Sequence, residues 1–108
     1  MTVYVDPLAH WGWVMRGRVV QSCHLFTDTL ELDALHDLAA RIGMKRGWFQ
    51  DKASAPHYDL TPSRCAAAIA AGAVQVDRHA AVAIWRQRRV LVAEQLALSR
   101  AELQRGVQ

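Results

Sequence analysis

Long uncharged runs, paired cysteines and glycine-rich phosphate loops are all missing from this 108-residue chain, and each absence removes a class of protein. No uncharged run approaches the ~18 residues that a bilayer-crossing helix needs, and the opening MTVYVDPL has neither the basic region nor the apolar core of a signal peptide. The expectation is a cytoplasmic protein with no membrane partner. The two cysteines, Cys23 and Cys65, stand 42 positions apart, which signals neither a zinc ribbon nor a disulfide framework. Small, buried thiols are expected instead. There is no GxxxxGK[ST], GxGxxG or GxSxG, and no base is spaced to activate Ser22, Ser54 or Ser63. The common nucleotide loops and serine hydrolases are therefore excluded, and no motif calls for a cofactor.

What is present is a globular composition, with 52% hydrophobic and 21% charged residues and no low-complexity segment. Much of the apolar count is alanine, which buries little area, so the core is expected to be modest. The net charge is +3. Six arginines against Glu94 and Glu102 lie in residues 78 to 108, a surplus compatible with an anionic ligand or nucleic acid, or with a plain solvated helix face. The dense basic tract of a dedicated nucleic-acid binder is absent, and nucleic acid is not the favoured partner.

Local pattern orders the chain as β-β-α-β-α-β-α. TVYV (Thr2 to Val5) reads as a strand stopped by Asp6-Pro7, and VVQSCHLF (Val19 to Phe26) as a second. HWGWVMRGR between them suggests an irregular connection or the tip of a hairpin. From Thr29, Leu32, Leu35, Leu38, Ala39 and Ile42 recur at helical steps, with Thr27 or Asp28 available as cap and Gly43 placed to end the helix. HYDL (His57 to Leu60) reads as a strand. Thr61 and Pro62 open a helix that runs to Gly72, Ala73 to Val76 is a short strand, and Asp77 caps a final helix reaching about Leu103.

The fold class that follows is α/β: a small mixed sheet of about four to five strands covered by helices, with a long C-terminal helical extension. Residues 1–80 form the compact core on this reading, and 81–108 a helix or helices for self-assembly. Ile84, Leu91 and Leu98 repeat every seven residues beside Trp85 and Val92, giving a wide apolar face expected to make a homo-oligomer contact or to pack on the chain's own sheet. Arg88 and Arg89 fall on that face and predict a kink or a break.

WFQDKASAPHYDL concentrates the residues able to do chemistry. On a strand His57 and Asp59 point to one side and Tyr58 to the other. Such a pair serves as metal ligands, as acid and base, or as a polar clamp on a ligand, although a lone His-x-Asp is more often a surface or structural pair. With His24 and His36 it would form a cluster suited to a divalent metal, but none of the spacings is a metal motif and no ion is favoured. Trp48 offers a stacking face, Phe49 reads as core, and Arg16, Arg18, Lys45, Arg46 and Arg64 are candidates for phosphate.

MTVYVD, the CHL of Cys23 to Leu25, ELDALHDLAARIG, WFQ, PHYDL and AGAVQVDR together resemble the domain of unknown function 4031 family, small bacterial and phage proteins. The resemblance covers about residues 1–80 and implies a shared fold without an established activity. AHWGWVM and the helix after Arg88 depart from it. By analogy with small phage proteins, the resemblance suggests sequestration of a nucleotide signal of host defence.

These observations give three functional expectations. The preferred one is a non-catalytic homo-oligomer binding a nucleotide-like or phosphorylated molecule, with Arg16, Arg18, Arg46 or Arg64 on phosphate, Trp48 stacking, and His57 and Asp59 on sugar or base. The second is a metal-dependent phosphoester hydrolase built on His24, His36, His57 and Asp59. The third is an accessory module that contacts nucleic acid or protein through the basic C-terminal helix.

Overall fold

In the computed structural model, residues 2–52 and 55–106 are described, and Ser54 lies outside them. Five strands and three helices run β1 Val3–Val5, β2 Ala9–Met15, β3 Arg18–Thr27, α1 Asp33–Arg41, β4 Tyr58–Leu60, α2 Pro62–Ala70, β5 Val74–Gln75 and α3 Arg78–Arg105, with a short 3-10 helix at Arg46–Trp48. The fold is α/β on a mixed sheet. β3 is its axis: Leu25 pairs with Val5 on one edge and with Tyr58 on the other, both antiparallel. β2 pairs with the first half of β3, antiparallel, and β5 adds to β1 in parallel.

The segment read as an irregular connection or the tip of a hairpin is a hairpin strand with its turn, and it supplies the fifth strand of the sheet. The reason is the turn. Met15 pairs with Arg18 across a two-residue loop, and Arg16 (φ 50°) and Gly17 (φ 77°) both take the left-handed backbone that a tight hairpin with native twist requires. Gly12, also left-handed, lies where the register shifts between His10 and Val14, which masked the alternation of a strand.

Alternation in the central strands separates two faces. Val3, Val5, Cys23, Leu25, Tyr58 and Leu60 form the core with Leu35, Leu38 and Ala39 of α1 and Cys65 and Ala68 of α2. Both thiols are free and buried, and burial, reinforced by the neighbouring Cys65, pushes the Cys23 thiol well above its ordinary pKa. The opposite face carries Tyr4, His24 and Phe26. Tyr4 stacks on Phe26 at 5.8 Å, and Trp85 of α3 covers Phe26 at 5.0 Å.

Helix ends follow the expected chemistry in two cases and depart from it in one. Thr61 accepts from the Arg64 N–H, with Pro62 opening the helix, and Asp77 accepts from the Ala80 N–H at 2.7 Å. Helix α1 begins at Asp33, with no side-chain cap from Thr27 or Asp28. Those two side chains are committed to β1: Thr27 donates to the Thr2 carbonyl and Asp28 accepts from the Tyr4 hydroxyl.

Helix α3 runs unbroken through Arg88 and Arg89. Arg88 turns inward, 5% exposed, where its Nε donates to the Thr29 carbonyl at 3.0 Å, and burial lowers its pKa. The first turns of this helix, through Ala81, Trp85 and Arg88, pack on the body. Beyond Arg88 no described residue is buried, and Val90, Leu91, Leu96, Leu98 and Leu103 are exposed. No helix among the described residues is long and apolar enough to cross a membrane.

Leu35 is fully buried between α1 and the sheet. Leu35→Ala should cost about 2–5 kcal/mol, read as a lower urea midpoint at an unchanged m-value, because the surrounding strands hold the cavity open.

Candidate functional site

The site starts at the break between β1 and β2. Asp6 ends the strand just before Pro7, and its side chain takes the place of a main-chain carbonyl as acceptor for β3. One carboxylate oxygen accepts the backbone N–H of His24 at 2.6 Å, and the other meets His24 Nδ1 at 2.7 Å. Asp6 is buried at 5% exposure. This fixes the ring of His24 in the middle of β3 with Nε2 directed away from Asp6.

Across β3, His24 is paired in register with Asp59 of β4. His57, just before β4, bridges to Gln50 through two backbone hydrogen bonds, Gln50 N to His57 O at 2.9 Å and His57 N to Gln50 O at 3.1 Å. The WFQ segment therefore lies along β4 and delivers Gln50, whose amide donates to Asp59 Oδ2. His57 Nδ1 meets the Ala55 carbonyl at 2.7 Å. Two imidazoles and a carboxylate converge as a result: Asp59 Oδ1 lies 3.4 Å from His57 Nε2 and 3.7 Å from His24 Nε2. All three donor atoms fall within 4.8 Å of one another.

Electrostatics couple the pair on β4. Burial opposes a charge on His57, but the hydrogen bond and charge of Asp59, helped by the Ala55 carbonyl, raise its pKa above the ordinary value. The same His57 hydrogen bond, against the opposing effect of burial, holds Asp59 below the usual carboxylate range.

His36 is not part of this cluster. Its Nδ1 meets the Tyr58 hydroxyl at 2.8 Å and its ring packs on Phe49 at 4.6 Å, on the core side of β4. Because Tyr58 alternates with His57 and Asp59, its partner necessarily sits on the other face. Burial, aided by Arg46, lowers the pKa of His36.

Two clefts meet at Asp59. One, of about 450 Å³, exposes the cluster and is bordered by Trp11, Trp13, Ser22 and Lys52. The other, of about 360 Å³, is walled by Trp13, Met15, Met44, Trp48 and Arg64, and both share Trp13, Gln50 and Asp59. Trp48 is 44% exposed, with the Arg64 guanidinium 5.3 Å and the Lys45 ammonium 5.5 Å from its ring centre. Thus Trp48, Arg64, His57 and Asp59 are brought together. Arg46 starts the 3-10 helix, Arg16 lies in the hairpin turn and Arg18 just after it; none of the three lines either cleft.

Sequence reasoning missed Asp6, Gln50, Trp11 and Trp13. Asp6 reads as a strand stop and Gln50 as loop. Trp11, which packs edge-on against His24 at 4.9 Å and donates to the Ser22 carbonyl, became visible only with β2. The one available signal was the placement of Asp6 and Gln50 inside the distinctive MTVYVD and WFQ segments.

The fold and site define a small α/β protein with an open polar cluster joined to an aromatic, arginine-walled cleft. The chain belongs to the family described as "Protein of unknown function (DUF4031)", whose model matches residues 3–88. The match runs through AHWGWVM and ends at Arg88, where α3 leaves the body. No curated protein and no solved structure matches the chain.

The charged His57–Asp59 pair contributes fully where both groups are ionised in either state, above the unfolded carboxylate value of 3.8 and below the unfolded imidazole value of 6.5. Its contribution falls as pH rises through the raised pKa of His57, and again as pH drops through the lowered pKa of Asp59. The stability difference between the wild type and Asp59→Asn, measured by urea denaturation across pH, should therefore be largest between those two values and shrink on both sides.

Proposed function

We propose that the protein binds a phosphorylated, nucleotide-like small molecule in the paired clefts. The observation that carries this reading is the continuity of two unlike surfaces. An exposed indole flanked by two cations lies at one end, and a histidine–aspartate cluster at the other, with Trp13, Gln50 and Asp59 common to both.

In this reading Trp48 and Trp13 offer apolar faces to a base, whose stacking is tolerant of its identity. Arg64 supplies a planar guanidinium for phosphate oxygens, a geometry that lysine does not reproduce. Gln50, His57 and Asp59 hold the hydroxyl-bearing middle of the ligand. Binding alone is sufficient for a sequestering role, and no bond need be broken.

A thermal-shift screen with nucleotides, cyclic dinucleotides and ADP-ribose derivatives tests the proposal. A ligand at 100 times its Kd stabilises by about 2.7 kcal/mol, well above detection. Both Trp48→Ala and Arg64→Ala should lose the shift while their ligand-free melting stays near that of the wild type, since both side chains lie on the surface of the cleft. The reading fails if no compound shifts the folded wild type, or if both variants respond as it does.

A further inference from the structure

We propose that His24, His57 and Asp59 form a binding site for a single divalent transition-metal ion, with His24 Nε2, His57 Nε2 and Asp59 Oδ1 as its ligands. The site shares His57 and Asp59 with the pocket proposed above, but its test, zinc binding to the ligand-free protein, does not depend on that ligand.

The first argument is the state of the rings. In each histidine the Nδ1 nitrogen is already committed to an acceptor, the Asp6 carboxylate for His24 and the Ala55 carbonyl for His57. Hydrogen bonding at Nδ1 fixes each ring and leaves Nε2 as the nitrogen that gives up its proton when an ion binds. Both Nε2 atoms face the same oxygen. A carboxylate or backbone carbonyl behind a metal-binding imidazole is the usual outer support of such a ligand, orienting the ring and raising its basicity.

Distance is the second argument. An ion about 2.0–2.1 Å from each donor in a tetrahedral arrangement sets neighbouring donors roughly 3.4 Å apart. The separations from Asp59 Oδ1 are 3.4 and 3.7 Å, and all three donors lie within 4.8 Å of one another, so the two imidazoles would close on an ion that Asp59 already positions. As a hydrogen bond, by contrast, 3.7 Å is too long, and one carboxylate oxygen facing two imidazoles is poorly satisfied by a proton alone. Asp59 is held by Gln50 through its other oxygen, which leaves Oδ1 for the ion.

Charge and access agree. A metal-bound imidazole is neutral, so the Asp59 carboxylate is the anionic ligand set against the ion's charge. Two imidazoles and one carboxylate suit zinc and its first-row neighbours better than magnesium or calcium, which prefer oxygen. Three protein ligands leave at least one position open, and the cleft bordered by Trp11, Trp13 and Lys52 gives water or a ligand oxygen a route to it.

The test uses untagged, chelator-treated full-length protein titrated with zinc. Calorimetry should give one ion per chain. In imidazole-resolved NMR of the wild type, the Nε2 signals of His24 and His57 should move on binding, while those of His10, His36 and His79 stay in place. His57→Ala and Asp59→Ala should weaken binding by at least a hundredfold. Asp6→Asn, which touches only His24, should weaken it by about 10–100-fold. A folded wild type that binds no zinc at micromolar concentration would overturn the proposal, as would NMR shifts on other histidines. Because the NMR arm uses the wild type, it decides the question even if a variant fails to fold.

Discussion

A buried carboxylate standing in for a missing strand hydrogen bond is the constraint from which the site follows. Asp6 sits where β1 gives way to β2, and its two oxygens take the backbone N–H and the ring nitrogen of His24. A buried charge of this kind is tolerated only when its oxygens are satisfied, and both are. The arrangement ties the β1–β2 edge to the central strand and presets one imidazole. Removing the carboxylate would disturb the ladder and the cluster together, since one side chain serves both.

The rest of the site is a consequence of alternation along two short strands. On β4, Tyr58 and Leu60 point into the core while His57 and Asp59 point to the other face. On β3, Cys23 and Leu25 belong to the core while His24 and Phe26 do not. The same geometry that buries a tyrosine against His36 and Phe49 therefore assembles the histidine–aspartate cluster behind it. Stability and site are thus coupled through single residues. Replacing Tyr58 would reach the cluster through the backbone of β4, without any direct contact.

Helix α3 divides along the same lines. Trp85 covers Phe26 and lies 5.8 Å from the ring of His24, so the start of the helix helps to enclose the site. Arg88 locks this portion to the loop after β3. The family match ends at that residue, and the projecting turns beyond it carry the exposed leucines. The matched region covers the body and the residues of the site, and the outer helix lies beyond it.

Local pattern was enough to determine the helices, most of the strands, and the Thr61 and Asp77 caps. Each of these depends on chemistry within a few residues, namely periodicity, a capping oxygen, a proline or a glycine. It also placed His57 and Asp59 on one side of a strand, which needs only the two-residue repeat. The hairpin strand stayed hidden because a register shift at Gly12 breaks the repeat that identifies strands. Tertiary structure alone decided that His24 joins His57 while His36 turns to Tyr58, that Arg88 points inward, and that Asp6 and Gln50 orient the cluster. Those outcomes depend on which segments meet across 9 to 59 residues of chain, and no local pattern carries that information.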